Sequence, residues 1–131
     1  MFLDDANVPG ELPTLADLQK YKADGVNIWA PPMWALLTVA NGQIVASQYA
    51  RNAKIARLDI ITWTIERSGR IVEDVLIGGN TYYYQTTLGA LRNDGDILTT
   101  LDVLARQVGI LGIFSDWSAT VSYYANCMGL K

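Results

Sequence analysis

Four short apolar runs, separated by longer segments with helical spacing, dominate the pattern of this chain. The runs are Met1 to Leu3, Val26 to Trp29, Ile60 to Ile65 and Ile110 to Phe114. They predict strands near residues 1–4, 25–30, 59–66 and 110–115. Continuous apolar runs of this length are typical of strands that are buried on both faces of a parallel sheet.

The segments between the runs predict helices. Thr14 and Asp17 have the spacing of a capping box, so the first helix is expected to begin there and to end near Lys22. Three further helices are expected at about residues 43–57, 96–108 and 117–126. Asp94 or Asp96 is expected to cap the third of these helices, and Gly109 to stop it.

A strand followed by a helix, repeated four times, is the pattern of a parallel sheet with helical crossovers. A complete (βα)8 barrel takes about 250 residues, and this chain has 131. The pattern therefore predicts an α/β fold that is one half-barrel domain of four parallel βα units. On pattern alone, a small open α/β sheet is the alternative.

Residues 67–95 are too long for a simple connection and predict an excursion after the third strand. Two apolar stretches flank Gly78-Gly79-Asn80, a turn signal, so we expect a β-hairpin from Ile71 to Thr86. Because the excursion follows a strand end, it is a candidate lid or wall. Tyr82, Tyr83 and Tyr84 are expected to pack it down.

Composition narrows the possible partners. Half of the residues are hydrophobic, 18% are charged and the formal net charge is −3. The chain has no basic run, so nucleic acid is a poor candidate. No apolar stretch approaches the roughly 20 residues of a membrane span, and the N-terminus lacks the features of a signal peptide. A soluble protein of undetermined compartment is expected, with Cys127 as a buried structural thiol.

Three segments resemble the C-terminal half of glycerophosphodiester phosphodiesterases. Residues 23–31 read ADGVNIWAP, similar to that family's ADGIGP; residues 58–67 read LDIITWTIER, similar to LxVHPYTxR or VxxWTxN; residues 109–117 read GILGIFSDW, similar to GVDGLFTDFP. With Met1 to Asp5 as the preceding strand, the resemblance covers nearly the whole chain. It implies a TIM barrel of which these segments are strands five to eight.

The resemblance also implies a parent reaction, the hydrolysis of a glycerophosphodiester to glycerol 3-phosphate and an alcohol, assisted by Ca²⁺ or Mg²⁺. In that family the catalytic histidines and most metal ligands belong to the first half of the barrel, beginning with an HRG motif. This chain has no histidine. We therefore assign it no catalytic residue, no metal ligand and no cofactor of its own, and expect it to be inactive alone, because phosphoryl displacement needs a proton acceptor, an acid and a cation.

Substrate-binding candidates lie where the strands end, as in other barrels of this kind. They are Trp29, Trp63, Glu66, Arg67, Asp116 and Trp117. Trp63 suits an apolar wall for the substrate's alcohol or a place in the core. Glu66 and Arg67 could pair with each other or hold a phosphate. Asp116 also fits the N-cap of the last helix, and the adjacent Asp4 and Asp5 are expected to form a solvated strand end.

Two hypotheses describe how such a half-barrel exists. It is either the substrate-side half of a phosphodiesterase, completed by a missing N-terminal half, or a non-catalytic half-barrel that associates with itself. Four strands leave two open edges and one uncovered face, so a homo-oligomer or a partner half is expected.

Overall fold

The computed structural model describes residues 1–130, which form a mixed α/β domain with two sheets. The strands are β1 (Phe2–Leu3), β2 (Ile28–Ala30), β3 (Leu37–Ala40), β4 (Gln43–Ala46), β5 (Asp59–Thr62) and β6 (Gly112–Ile113). The helices are α1 (Leu15–Ala23), α2 (Gln48–Ile55), α3 (Asp96–Asp102) and α4 (Ser118–Cys127).

The main sheet has the order β1-β2-β5-β6, and all three strand pairs are parallel. The prediction of four parallel strands in chain order is therefore confirmed. The strands are shorter than predicted. Trp29 lies opposite Phe2 on one side and Ile60 on the other, which fixes the register across the first three strands.

The first helix begins as predicted. The Thr14 hydroxyl accepts a hydrogen bond from the Asp17 N–H, and the Asp17 carboxylate accepts one from the Thr14 N–H. The predicted start of the second helix at residue 43 is wrong. Residues 37–46 form the antiparallel hairpin of β3 and β4, and its turn is Asn41-Gly42, both with positive φ. This dipeptide is the preferred type I′ turn sequence, and α2 begins only after the Ser47 cap.

The third helix continues from α3 as a wider π-helical segment, Val103–Val108, and stops at Gly109, which is left-handed with φ 69°. The stop is as predicted, but the cap is not. The Asp96 carboxylate accepts from the backbone N–H groups of Arg92 and Asn93, which precede the helix. Gly95 occupies the N-cap position and makes no side-chain hydrogen bond there.

The predicted hairpin in the excursion is wrong. Ile71–Val75 is a π-helical turn, and Tyr82–Tyr84 and Leu88–Ala90 are short 3₁₀ turns. Ile71 and Val75 are both buried, and their spacing of four residues suits one face of a helix rather than a strand. The Asp74 carboxylate accepts from the Arg70 N–H and so closes this turn.

The helices cover one face of the main sheet. The ring of Phe2 contacts Tyr21 of α1 at 4.7 Å between centroids, and Ile60 is fully buried. Side chains alternate along a strand, so Leu3 and Phe114 lie on the other face. They are 60% and 55% exposed. The main sheet thus has one covered face and one apolar face that is open at both edges.

Cys127 is exposed, so the expectation of a buried thiol is wrong; Tyr124 is the buried residue of α4. In residues 1–130, no helix has the length and apolar character needed to cross a membrane.

Candidate functional site

The carboxyl ends of β5 and β6 bring together most of the predicted site residues. Beyond the strands, the Ile65 N–H donates to the Phe114 carbonyl at 3.3 Å, which keeps the two chain segments side by side. Glu66 and Arg67 follow on one segment, and Ser115 to Trp117 follow on the other. The two segments meet through two separate polar contacts.

The first contact is made by Glu66, whose side chain is buried. Its carboxylate accepts from the Ser115 hydroxyl at 2.9 and 2.7 Å, from the Asp116 N–H at 3.0 Å and from the Trp117 N–H at 3.4 Å. A buried carboxylate needs such partners, because leaving it without donors is costly. The expected pair of Glu66 with Arg67 is therefore wrong, since protein donors already occupy Glu66.

The second contact is a bidentate ion pair between Arg67 and Asp116. Arg67 Nε donates to one carboxylate oxygen at 2.7 Å and Nη2 donates to the other at 2.8 Å. These hydrogen bonds lower the pKa of the Asp116 carboxyl and raise that of the Arg67 guanidinium. The expectation that Asp116 caps α4 is wrong. Both of its carboxylate oxygens face the guanidinium, and Trp117 occupies the N-cap position.

Trp63 forms an aromatic wall with the excursion. Its indole Nε1 donates to the Ala30 carbonyl at 3.0 Å, and its ring stacks on Tyr82 and meets Tyr83 edge-on. The Tyr82 hydroxyl donates to the Ala6 carbonyl at 2.7 Å, just beyond β1. The excursion is therefore packed down by its tyrosines, as expected, and it walls the carboxyl end of the sheet.

The other two tryptophans differ sharply in their surroundings. Trp29 is fully buried, and its Nε1 donates to an Asp4 carboxylate oxygen at 3.0 Å. Trp63 lies opposite Pro32, which is three residues beyond Trp29. Trp29 is therefore part of the core and does not lie with the other candidates. Trp117 is 62% exposed at the end of β6, where it is available to a ligand.

Asp4 is not the solvated strand end that we had expected. It is buried and also accepts from the Ala6 N–H at 3.1 Å. A cavity of about 670 Å³ beside it carries four carboxyl groups, Asp4, Asp5, Glu11 and Asp17. Within residues 1–130, however, no three His, Cys, Asp or Glu side chains converge as metal ligands would. Glu66 and Asp116 are engaged by protein donors, so these residues alone do not fit the Ca²⁺ or Mg²⁺ that the resemblance implies.

Sequence reasoning missed the roles of Ser115 and of the tyrosines that meet Trp63. Ser115 reaches Glu66 across 49 residues of sequence, a contact that no local pattern encodes. Trp63 and the tyrosine triplet were both visible in the sequence, but the contact between them was not.

No protein-family profile matches the chain. A protein of Arthroderma benhamiae named "Extracellular protein" is 44% identical over 133 residues, an alignment that covers 99% of this chain and 54% of that relative. The chain thus spans about half the length of the curated relative that it matches.

Proposed function

We propose that this chain is the substrate-side, C-terminal half of a (βα)8 barrel similar to glycerophosphodiester phosphodiesterases, and that it does not hydrolyse substrate alone. The observation that carries the proposal is the set of four parallel strands in chain order, with polar and aromatic residues at the carboxyl ends of β5 and β6. In (βα)8 barrels the active site forms at that end of the strands.

The length of the relative supports the half-barrel. If 133 aligned residues are 54% of it, the relative has about 250 residues, close to the size of a complete (βα)8 barrel. A second set of four βα units would also cover the open apolar face and pair the free edges of β1 and β6.

In this proposal the chain contributes binding and the other half contributes chemistry. Arg67 contacts a phosphate oxygen of a glycerophosphodiester, while Trp63 and Trp117 border the alcohol. The histidines that move protons and the acidic residues that hold Ca²⁺ or Mg²⁺ belong to the other half. The name of the relative also favours secretion, and we propose that this protein acts outside the cell.

The test combines assembly with activity. This chain is mixed with a separately expressed polypeptide made from the part of the Arthroderma protein that the alignment leaves uncovered. We expect a one-to-one complex in sedimentation equilibrium, and metal-dependent hydrolysis of glycerophosphocholine by the complex only. Turnover by this chain alone, lost in Arg67→Ala, would refute the division of labour, and failure to associate would refute the half-barrel.

Self-association is the second candidate function, and the exposed apolar residues at both edges favour it. Leu3 at the β1 edge and Phe114 and Trp117 at the β6 end are each more than half exposed, and neither outer strand carries the Lys or Pro that protects an edge. A pair of half-barrels related by a twofold axis would cover these residues. A mass that stays near 14.4 kDa at high micromolar concentration would refute this candidate.

A further inference from the structure

Glu66 is a buried acid whose hydrogen-bond donors all come from one short segment. The Ser115 hydroxyl and the N–H groups of Asp116 and Trp117 converge on its carboxylate. Its sequence neighbour Arg67 points outward and is 57% exposed. We infer that Glu66 is a positioning residue, which fixes the turn after β6 so that Asp116 holds the Arg67 guanidinium at the strand ends.

Asp116 is the link between the two contacts. Its backbone donates to Glu66, and its side chain accepts from Arg67. Because Arg67 is more than half exposed, packing alone does not fix the direction of its side chain. The two carboxylate oxygens of Asp116 fix it instead. A displaced turn would therefore release the guanidinium even though Glu66 never touches it.

The arrangement leaves part of the guanidinium available. Nε and Nη2 are directed at Asp116, and Nη1 donates no hydrogen bond to any residue in the range 1–130. Since each guanidinium presents five N–H donors in a rigid plane, fixing two nitrogens also fixes the third. Nη1 is thus presented to an anionic oxygen at the strand ends. Only this choice of ligand relies on the proposed function; the positioning role does not.

The test removes the acceptors of Glu66 with little change in side-chain length. In Glu66→Met, the ¹⁵N–¹H resonance of Arg67 Nε should move towards its position in Asp116→Ala, the reference for an unpaired guanidinium. Amide hydrogen exchange of Asp116 should become about tenfold faster, because its hydrogen bond to a charged group is lost. The Trp117 N–H also donates to the Ser115 hydroxyl at 3.2 Å, so its exchange should change less. In Glu66→Gln, the resonance shift and the rise in exchange should both be smaller, since the amide oxygen of glutamine still accepts.

The matched control is Glu73→Met, which alters an exposed glutamate that pairs with Arg70 and should leave the Arg67 resonance in place. A folded Glu66→Met with an unchanged Arg67 resonance would overturn the inference. So would an equal rise in exchange at β5 and β6, which would mean a general loss of stability. If Glu66→Met does not fold, Ser115→Ala removes one donor to Glu66, and exchange of the Asp116 amide should still rise about threefold. The Trp117 amide is not diagnostic in this variant, because the Ser115 hydroxyl is itself an acceptor of that N–H.

The result of these measurements does not depend on whether the proposed function is correct. Resonance and exchange measurements need no ligand and no second half-barrel. Failure to hydrolyse glycerophosphocholine in the assembled complex would remove the ligand assignment and leave the positioning result as it stands.

Discussion

Replacing Ser47 with alanine removes two hydrogen bonds that hold the segment between β2 and α2. The Ser47 hydroxyl accepts from the Ala50 N–H at 3.2 Å as the N-cap of α2, and it donates to the Ala35 carbonyl at 2.6 Å. Both Ser47 and Ala35 are buried. The variant therefore loses a cap and also leaves a buried carbonyl without this donor.

The expected cost follows from these two terms. A lost cap costs about 1 kcal/mol, and a buried acceptor left unsatisfied costs about 1–2 kcal/mol more. Ser47→Ala should thus lower the free energy of unfolding by about 2–3 kcal/mol. For a chain of this size, that lowers the thermal midpoint by about 6–12 °C. Urea denaturation followed by circular dichroism measures the free energy directly.

Thr14→Ala is the matched control, because Thr14 caps α1 by the same kind of bond. Its hydroxyl accepts from the Asp17 N–H, and its contacts are exposed. We expect a loss of only about 1 kcal/mol in the free energy of unfolding. If Ser47→Ala costs no more than Thr14→Ala, the buried bond to Ala35 contributes nothing, and the reasoning is refuted.

Three further outcomes are expected. Trp63→Phe keeps the aromatic stacking but loses the bond to the Ala30 carbonyl, so urea unfolding should report a loss of about 1 kcal/mol; no loss would mean that the ring alone holds the wall. Because Arg67 lowers the pKa of Asp116 below its ordinary 3.8, their pair stabilises the fold above that value and the contribution disappears as the pH falls through the lowered pKa. Asp116→Asn should therefore flatten stability against pH below about 4, and an unchanged acid limb would contradict this. Leu18→Ala deletes a fully buried side chain of α1 and should cost about 3–5 kcal/mol in thermal or urea unfolding; a cost below about 1 kcal/mol would show that α1 is not packed on the sheet as described.

The parts of the fold that local signals encode were predictable. The capping box at Thr14 and the glycine stop at Gly109 are short-range chemistry, and the strand order follows from the βα alternation. The β3–β4 hairpin was also signalled, by Asn41-Gly42, but the apolar spacing that follows it was interpreted as helical. In the excursion, glycines suggested a hairpin turn where the spacing of Ile71 and Val75 favoured a helix.

The candidate site was predictable in its location but not in its pairing. Strand ends in a parallel sheet gather at one edge, so Trp63, Arg67 and Trp117 could be nominated. Which carboxylate meets which donor depends on register between β5 and β6, and Ser115 lies 49 residues from Glu66. Adjacent residues of opposite charge, such as Glu66 and Arg67, suggested a pair, but Glu66 is buried among donors from the other segment while Arg67 is more than half exposed.

The link between the excursion and β1 has a consequence for the order of folding. Tyr82 bonds to the Ala6 carbonyl and Gln85 to the Asn7 carbonyl, contacts that close loops of 76 and 78 residues. Closing such long loops costs chain entropy before any contact is gained, so these two contacts should form only after the excursion has packed on Trp63 and Ile65. A protease that trims the N-terminus would therefore remove the contacts at Ala6 and Asn7, while leaving the excursion packed on Trp63 and Ile65 and β5 paired with β6.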